Sequence, residues 1–111
     1  MSDTMIRIKL CDRADVPANG IIRVTDVPGI DTPLAVAESD GEIFCIADTC
    51  SHQTAALSDG WVEDGCVECP LHESRFDLAT GAPDVPPARE PIATFPVVVE
   101  NGEVFLLEER S

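Results

Sequence analysis

The sequence predicts a single all-β domain, and three observations point there. Short apolar runs recur along the 111 residues, and none keeps a helical three-and-four spacing for more than a turn or two. Compact turn signals separate several of them: Ser39-Asp40-Gly41, Asp64-Gly65 and Asn101-Gly102. Asp-Gly and Asn-Gly accept the positive φ angles of tight hairpin turns. Finally, the length suits one modest core, and no repeat, low-complexity tract or linker divides residues 1–111.

Taken in order, Ile6–Leu10 is a short apolar alternation, and residues 15–20 form a turn around Pro17, Asn19 and Gly20. Ile21–Val24 is β-branched, and Pro28, Gly29 and Pro33 punctuate the loop after it. Leu34–Glu38 and Glu42–Ala47 make a hairpin, Cys66–Cys69 is a short strand, and Phe95–Glu100 pairs with Val104–Leu107. Strands at this spacing suggest a small sandwich or barrel. The best helical turn is Ala55–Leu57. Residues 49–59 and 70–74 resist a strand reading, follow strands directly, and each carry a Cys or a His. Residues 81–91 are also irregular, with Pro83, Pro86, Pro87 and Pro91.

The formal net charge is −14. Nucleic acid and anionic membranes are poor partners for such a field, and a basic protein surface is a better one. Between Arg23 and Arg75 the chain holds eleven Asp or Glu and no Lys or Arg. This stretch reads as a solvated face, or more sharply as a docking surface. The first ten residues lack the apolar core of a signal peptide, and no run approaches a membrane span. The expected location is therefore cytoplasmic, where cysteines serve as ligands or core residues more often than as disulfides.

Both histidines of the chain follow a cysteine closely: Cys50-Ser51-His52, then sixteen residues, then Cys69-Pro70-Leu71-His72. Each motif offers one thiolate and one imidazole from a tight loop. Two chemistries fit. One is a structural zinc in a tetrahedron of two Cys and two His. The other is a Rieske centre, with two Cys on one iron and two His on the other. The tight C-x-H spacing and the lack of a following helix weigh against a zinc finger. A third reading, with core cysteines and surface histidines, leaves the pairing of both His with Cys to chance.

These motifs, with Arg75-Phe76-Asp77, Thr80-Gly81, Leu57-Ser58-Asp59-Gly60 and the Pro-rich 81–91 loop, resemble the Rieske-type [2Fe–2S] ferredoxins of bacterial aromatic-ring-hydroxylating dioxygenase systems. The resemblance runs from Ile6 to Leu107. It implies the Rieske fold of three stacked antiparallel sheets, with a cluster-binding subdomain at about residues 45–85. It implies one [2Fe–2S] cluster per chain, bound by Cys50, His52, Cys69 and His72. High-potential relatives in the wider family carry a disulfide beside the cluster, and the matching positions here are Ala55 and Leu71. They also carry a Ser and a Tyr that donate hydrogen bonds to sulfur. Ser74 matches the Ser, but Phe76 replaces the Tyr and has no hydroxyl. Soluble ferredoxins of the family usually have Gly where this chain has Glu73 and Ser74. A potential low in the Rieske range is expected, with ligand titration only at alkaline pH. Pro86 belongs to a stiff lid that would screen the cluster.

Cys45, Cys66 and Cys11 read as structural, and Trp61 as a packing anchor. The function implied is electron transfer, not catalysis. Single electrons would pass from a flavin-dependent ferredoxin reductase to a terminal oxygenase, with Asp48, Asp59, Glu63, Glu68 and Glu73 steering basic partners. The small Rieske subunit of an assimilatory nitrite reductase is the second reading, and a zinc-stabilised interaction module the third. No nucleophile with a base and no second metal constellation is visible, so an enzyme acting alone is the least favoured.

Overall fold

The three hairpin signals close where the sequence places them, and each does so by the same backbone geometry. Asp40 and Gly41, Asp64 and Gly65, and Asn101 and Gly102 all have positive φ, the turn that matches the twist of paired strands. The computed structural model describes residues 4–48, 56–68, 75–85 and 91–110. In chain order the strands are β1 (Thr4–Asp12), β2 (Ile21–Val24), β3 (Leu34–Ser39) and β4 (Glu42–Ala47). Next come β5 (Trp61–Glu63), β6 (Cys66–Glu68), β7 (Arg75–Asp77) and β8 (Pro83–Val85). The last are β9 (Thr94–Phe95), β10 (Val97–Glu100) and β11 (Glu103–Arg110). They form three antiparallel sheets: β1-β11-β10, β2-β3-β4-β9 and β5-β6-β7-β8.

The second sheet is the middle layer. Every residue of β3 is buried, so this strand has no solvent face. Leu34 and Val36 face one core with Cys45, Val104 and Leu106, shared with the first sheet. Ala35 and Ala37 face the other core with Ile46, Leu57, Val62, Val67, Phe76 and Leu78, shared with the third sheet. Small alanines on that side let the short-stranded third sheet approach. The polar end of β3 is satisfied where it is buried. The Glu38 carboxylate accepts from the Asn19 N–H at 2.8 Å and from Arg13 at 2.6 Å, which together hold it below the usual carboxylate range. Ser39 Oγ accepts from Gly65 N at 3.0 Å and so ties the middle sheet to the β5–β6 turn.

Several expectations change. The strand expected over 95–100 is divided by Pro96, which lacks the N–H a ladder needs. Phe95 pairs with β4 and Val97 begins the pairing of β10 with β11, so the chain changes sheets at the proline. Strands β5 and β7 are three residues each, too short to show alternation in the sequence. Pro83 belongs to β8 rather than to an irregular lid. As an edge strand β8 tolerates a missing donor. The helical turn lies at Leu57–Asp59, and Ala55 is outside the described residues. Trp61 is exposed and anchors no core. Cys45 is buried, with its thiol pushed up to about 12 by desolvation; Cys66 is buried and Cys11 half-buried.

One glycine fixes how the third sheet begins. A Cβ on Gly60 would lie 1.8 Å from the backbone oxygen of Glu68. No rotamer relieves a clash with backbone. Gly60→Ala should therefore cost about 3 kcal/mol of unfolding free energy by forcing β5 and β6 apart. Chemical denaturation checks this, and a variant within about 0.5 kcal/mol of the parent would show that the approach is not constrained.

Candidate metal centre

Cys50, His52, Cys69 and His72 lie outside the described residues, as do Glu73, Ser74, Pro86, Ala55 and Leu71. The roots of the loops that carry the four candidate ligands are described. The first loop, 49–55, leaves the end of β4 at Asp48 and returns at Ala56. The second, 69–74, joins β6 to β7 with Glu68 and Arg75 as cross-strand partners. Each loop is thus held at both ends by hydrogen-bonded structure.

Asp48 was expected on the surface as a docking charge. It is instead buried, at 1% exposure, which removes it from that role. Its carboxylate spans the first loop. One oxygen accepts from Ser58 N at 2.6 Å, and the other from Ser58 Oγ at 2.5 Å. Arg23 from β2 reaches the second oxygen at 3.4 Å. The Asp48 backbone N–H donates to Pro33 O at 2.9 Å. A carboxylate this deep is tolerated because each oxygen has a donor and a guanidinium offsets the charge. The effect is local: the residue before the loop is clamped to a residue just beyond it. Sequence reasoning missed this, because the partners that bury Asp48 lie ten residues ahead at Ser58 and across the sheet at Arg23.

The two loop roots also meet. Ser58 lies in the Leu57–Asp59 turn, and Gly60 then brings the chain against the Glu68 carbonyl. Glu68 is the residue that precedes Cys69. So a clamp closes the first loop and a backbone contact sets its exit against the start of the second. Glu68, expected as a steering acid, keeps only 14% exposure in its side chain and has Arg75 Nε at 3.8 Å. Asp59 and Glu63 are exposed as expected.

Phe76 is fully buried beside its cross-strand partner Val67, in the core the third sheet shares with the second. Cys66 opens β6 at the Asp64–Gly65 turn, paired on both sides with Glu63 and Asp77. Cys66–Glu68 is extended, at about 3.3 Å per residue, so Cys66 does not open the tight turn a C-x-x-C metal knuckle requires. Among the described residues no group of three or more His, Cys, Asp or Glu could hold a metal ion. None of the described helices is long and apolar enough to cross a membrane.

Replacing Asp48 separates clamp from charge. Asp48→Ala leaves the Ser58 N–H and hydroxyl without their acceptor, while the half-exposed Arg23 turns to water, and should cost about 2 kcal/mol. Asp48→Asn keeps an acceptor and should lose less. Thermal denaturation of both variants checks the order, and equal losses would remove the hydrogen bonds as the cause.

Comparison with known proteins then places the chain. The family model for the Rieske [2Fe–2S] domain matches residues 7–96. The 3-phenylpropionate/cinnamic acid dioxygenase ferredoxin subunit of Escherichia coli is 43% identical over 103 residues, covering 92% of this chain and 93% of that protein. The Sphingomonas yanoikuyae B1 ferredoxin superposes with a TM-score of 0.85 at 36% identity, covering 93% of this chain and 99% of that one. A chain from the complex of reduced oxygenase and oxidized ferredoxin in carbazole 1,9a-dioxygenase gives 0.83 at 35% identity, covering 96% of each. The three-sheet architecture, the family match and these near full-length relatives agree: the chain belongs to the Rieske [2Fe–2S] family, among the ferredoxins of aromatic-ring dioxygenase systems.

Proposed function

We propose that this chain carries single electrons from a flavin-dependent reductase to a terminal ring-hydroxylating oxygenase in the cytoplasm, through a [2Fe–2S] cluster on Cys50, His52, Cys69 and His72. The observation that carries the reading is the junction of the two loop roots, where Asp48 clamps Ser58 and Gly60 abuts Glu68. The donor set suits the group. Each loop supplies one thiolate and one imidazole, so each would give one ligand to each iron. Residues of about 45–85 would form the cluster-binding subdomain, with the third sheet as its body.

When bound, the cluster supplies a one-electron couple raised by neutral imidazole ligands into a range of roughly −150 to +300 mV. The chain's own residues supply the rest. Asp48, Ser58 and Gly60 fix the loop roots, which limits reorganisation when charge changes. The inner-face core of Val62, Val67 and Phe76 gives the sheet from which the second loop departs a dry, packed base. Asp59 and Glu63 leave negative charge on the surface for a basic partner. The relatives named as ferredoxin subunits support a carrier rather than a catalytic oxygenase.

Reconstitution tests this. Holoprotein mixed with a flavoprotein reductase and a terminal oxygenase should cycle one electron per cluster, and the rates should fall as salt rises past about 0.15 M, where screening length is near 8 Å. A protein that neither accepts nor delivers electrons is not a carrier.

Phe76 gives a second test. We propose that Phe76→Tyr would supply the sulfur-directed hydrogen-bond donor that the resemblance assigns to this position in high-potential relatives. A bond of that kind favours the reduced state, and at about 59 mV per 1.4 kcal/mol it should raise the potential by some tens of mV. An unchanged potential with lowered stability would mean the hydroxyl is stranded in the apolar core.

A further inference from the structure

Two large apolar side chains are exposed among the described residues, Trp61 at 46% and Val99 at 41%. Val99 lies on β10, an edge strand of the first sheet. A single exposed valine is ordinary surface. Trp61 is different in size and in setting. It is the one tryptophan of the chain, and its strand β5 is the edge of the third sheet. Strand alternation puts Val62 into the core and turns Trp61 and Glu63 outward. Trp61 is the cross-strand partner of Glu68, one residue before Cys69. The indole therefore stands beside the root of the second ligand loop.

Its surroundings are negative. Asp59, Glu63 and Asp64 are exposed on either side of it in sequence. The nearest cation across the sheet, Arg75, sits two strands away and is directed to Glu68. A large aromatic left in water, with exposed carboxylates on either side of it in sequence, has the composition of an interface anchor with a polar rim. The occupant follows from charge. A second copy of this chain would bring another net −14 against the same face, and an anionic membrane is repelled in the same way. A cationic protein surface is attracted.

We infer that Trp61 is the apolar anchor of the docking face, seated on binding in an apolar recess ringed by Lys and Arg on the terminal oxygenase. This rests on the electron-carrier reading above and adds the residue that holds the partner.

The test uses holoprotein carrying Trp61→Ala, Trp61→Phe or Val99→Ala. Oxidation of reduced protein by the oxygenase is followed as a function of protein concentration, beside the potential and visible spectrum of each variant. Trp61→Ala should raise the half-saturating concentration roughly tenfold or more, with potential and limiting rate unchanged. Trp61→Phe should lose less, and Val99→Ala should match the parent. Saturation of Trp61→Ala at the parent's concentration overturns the inference, as does an equal loss in Val99→Ala or a loss confined to the reductase reaction. Should Trp61→Ala fail to retain its cluster, fluorotryptophan-labelled parent protein gives a single fluorine resonance, which should shift on adding oxygenase; no shift at saturating oxygenase also overturns it. A parent that delivers no electrons to the oxygenase would instead defeat the carrier reading, so the two failures are told apart.

Discussion

The rest of the molecule depends on a strand that has no wet side. Because β3 is buried throughout, its sheet must be covered on both faces. The first sheet covers one face with Val104 and Leu106. The third covers the other with Val62, Val67 and Phe76. Four strands of three residues would not hold together alone. They are stable because Ala35, Ala37 and Ile46 offer an apolar floor. The roots of the two candidate ligand loops lie in this third sheet and at the end of β4, so the core fixes where both loops begin.

On that floor the polar clamps work as specificity devices. A buried carboxylate costs several kcal/mol in desolvation, and its gains are comparable. What Asp48 adds is therefore less stability than geometry, since the same carboxylate faces two donors on Ser58 and one on Arg23. Gly60 adds a constraint of a different kind, a backbone approach that leaves no room for a side chain. Charge repelled from the interior collects outside, and Asp59, Glu63 and Asp64 are exposed in the segment that carries Trp61.

Much of this was legible in the sequence for local reasons. Asp-Gly and Asn-Gly turns declare themselves because two residues decide their geometry, and the Cys-His pairs declare themselves because donor type and spacing are chemistry. Strands β5, β7 and β8 were not legible, since three residues carry no period and their pairing is decided across the sheet. Pro96 could have warned that one apolar run serves two sheets. Asp48 and Trp61 were assigned to the wrong sides of the surface. An acid is buried here because Ser58 and Arg23 meet it, and a tryptophan is exposed because β5 is an edge. Neither fact is local to the residue.

The ligand set is the central claim, and it joins two loops whose roots the fold already brings together. Electron–nuclear double resonance on the dithionite-reduced holoprotein, grown with isotopically labelled histidine, tests it most directly. Coupling to two histidine nitrogens, lost one at a time in His52 and His72 variants, is the predicted result. A reduced cluster with no histidine coupling, or a colourless protein that holds zinc in place of iron, would contradict it.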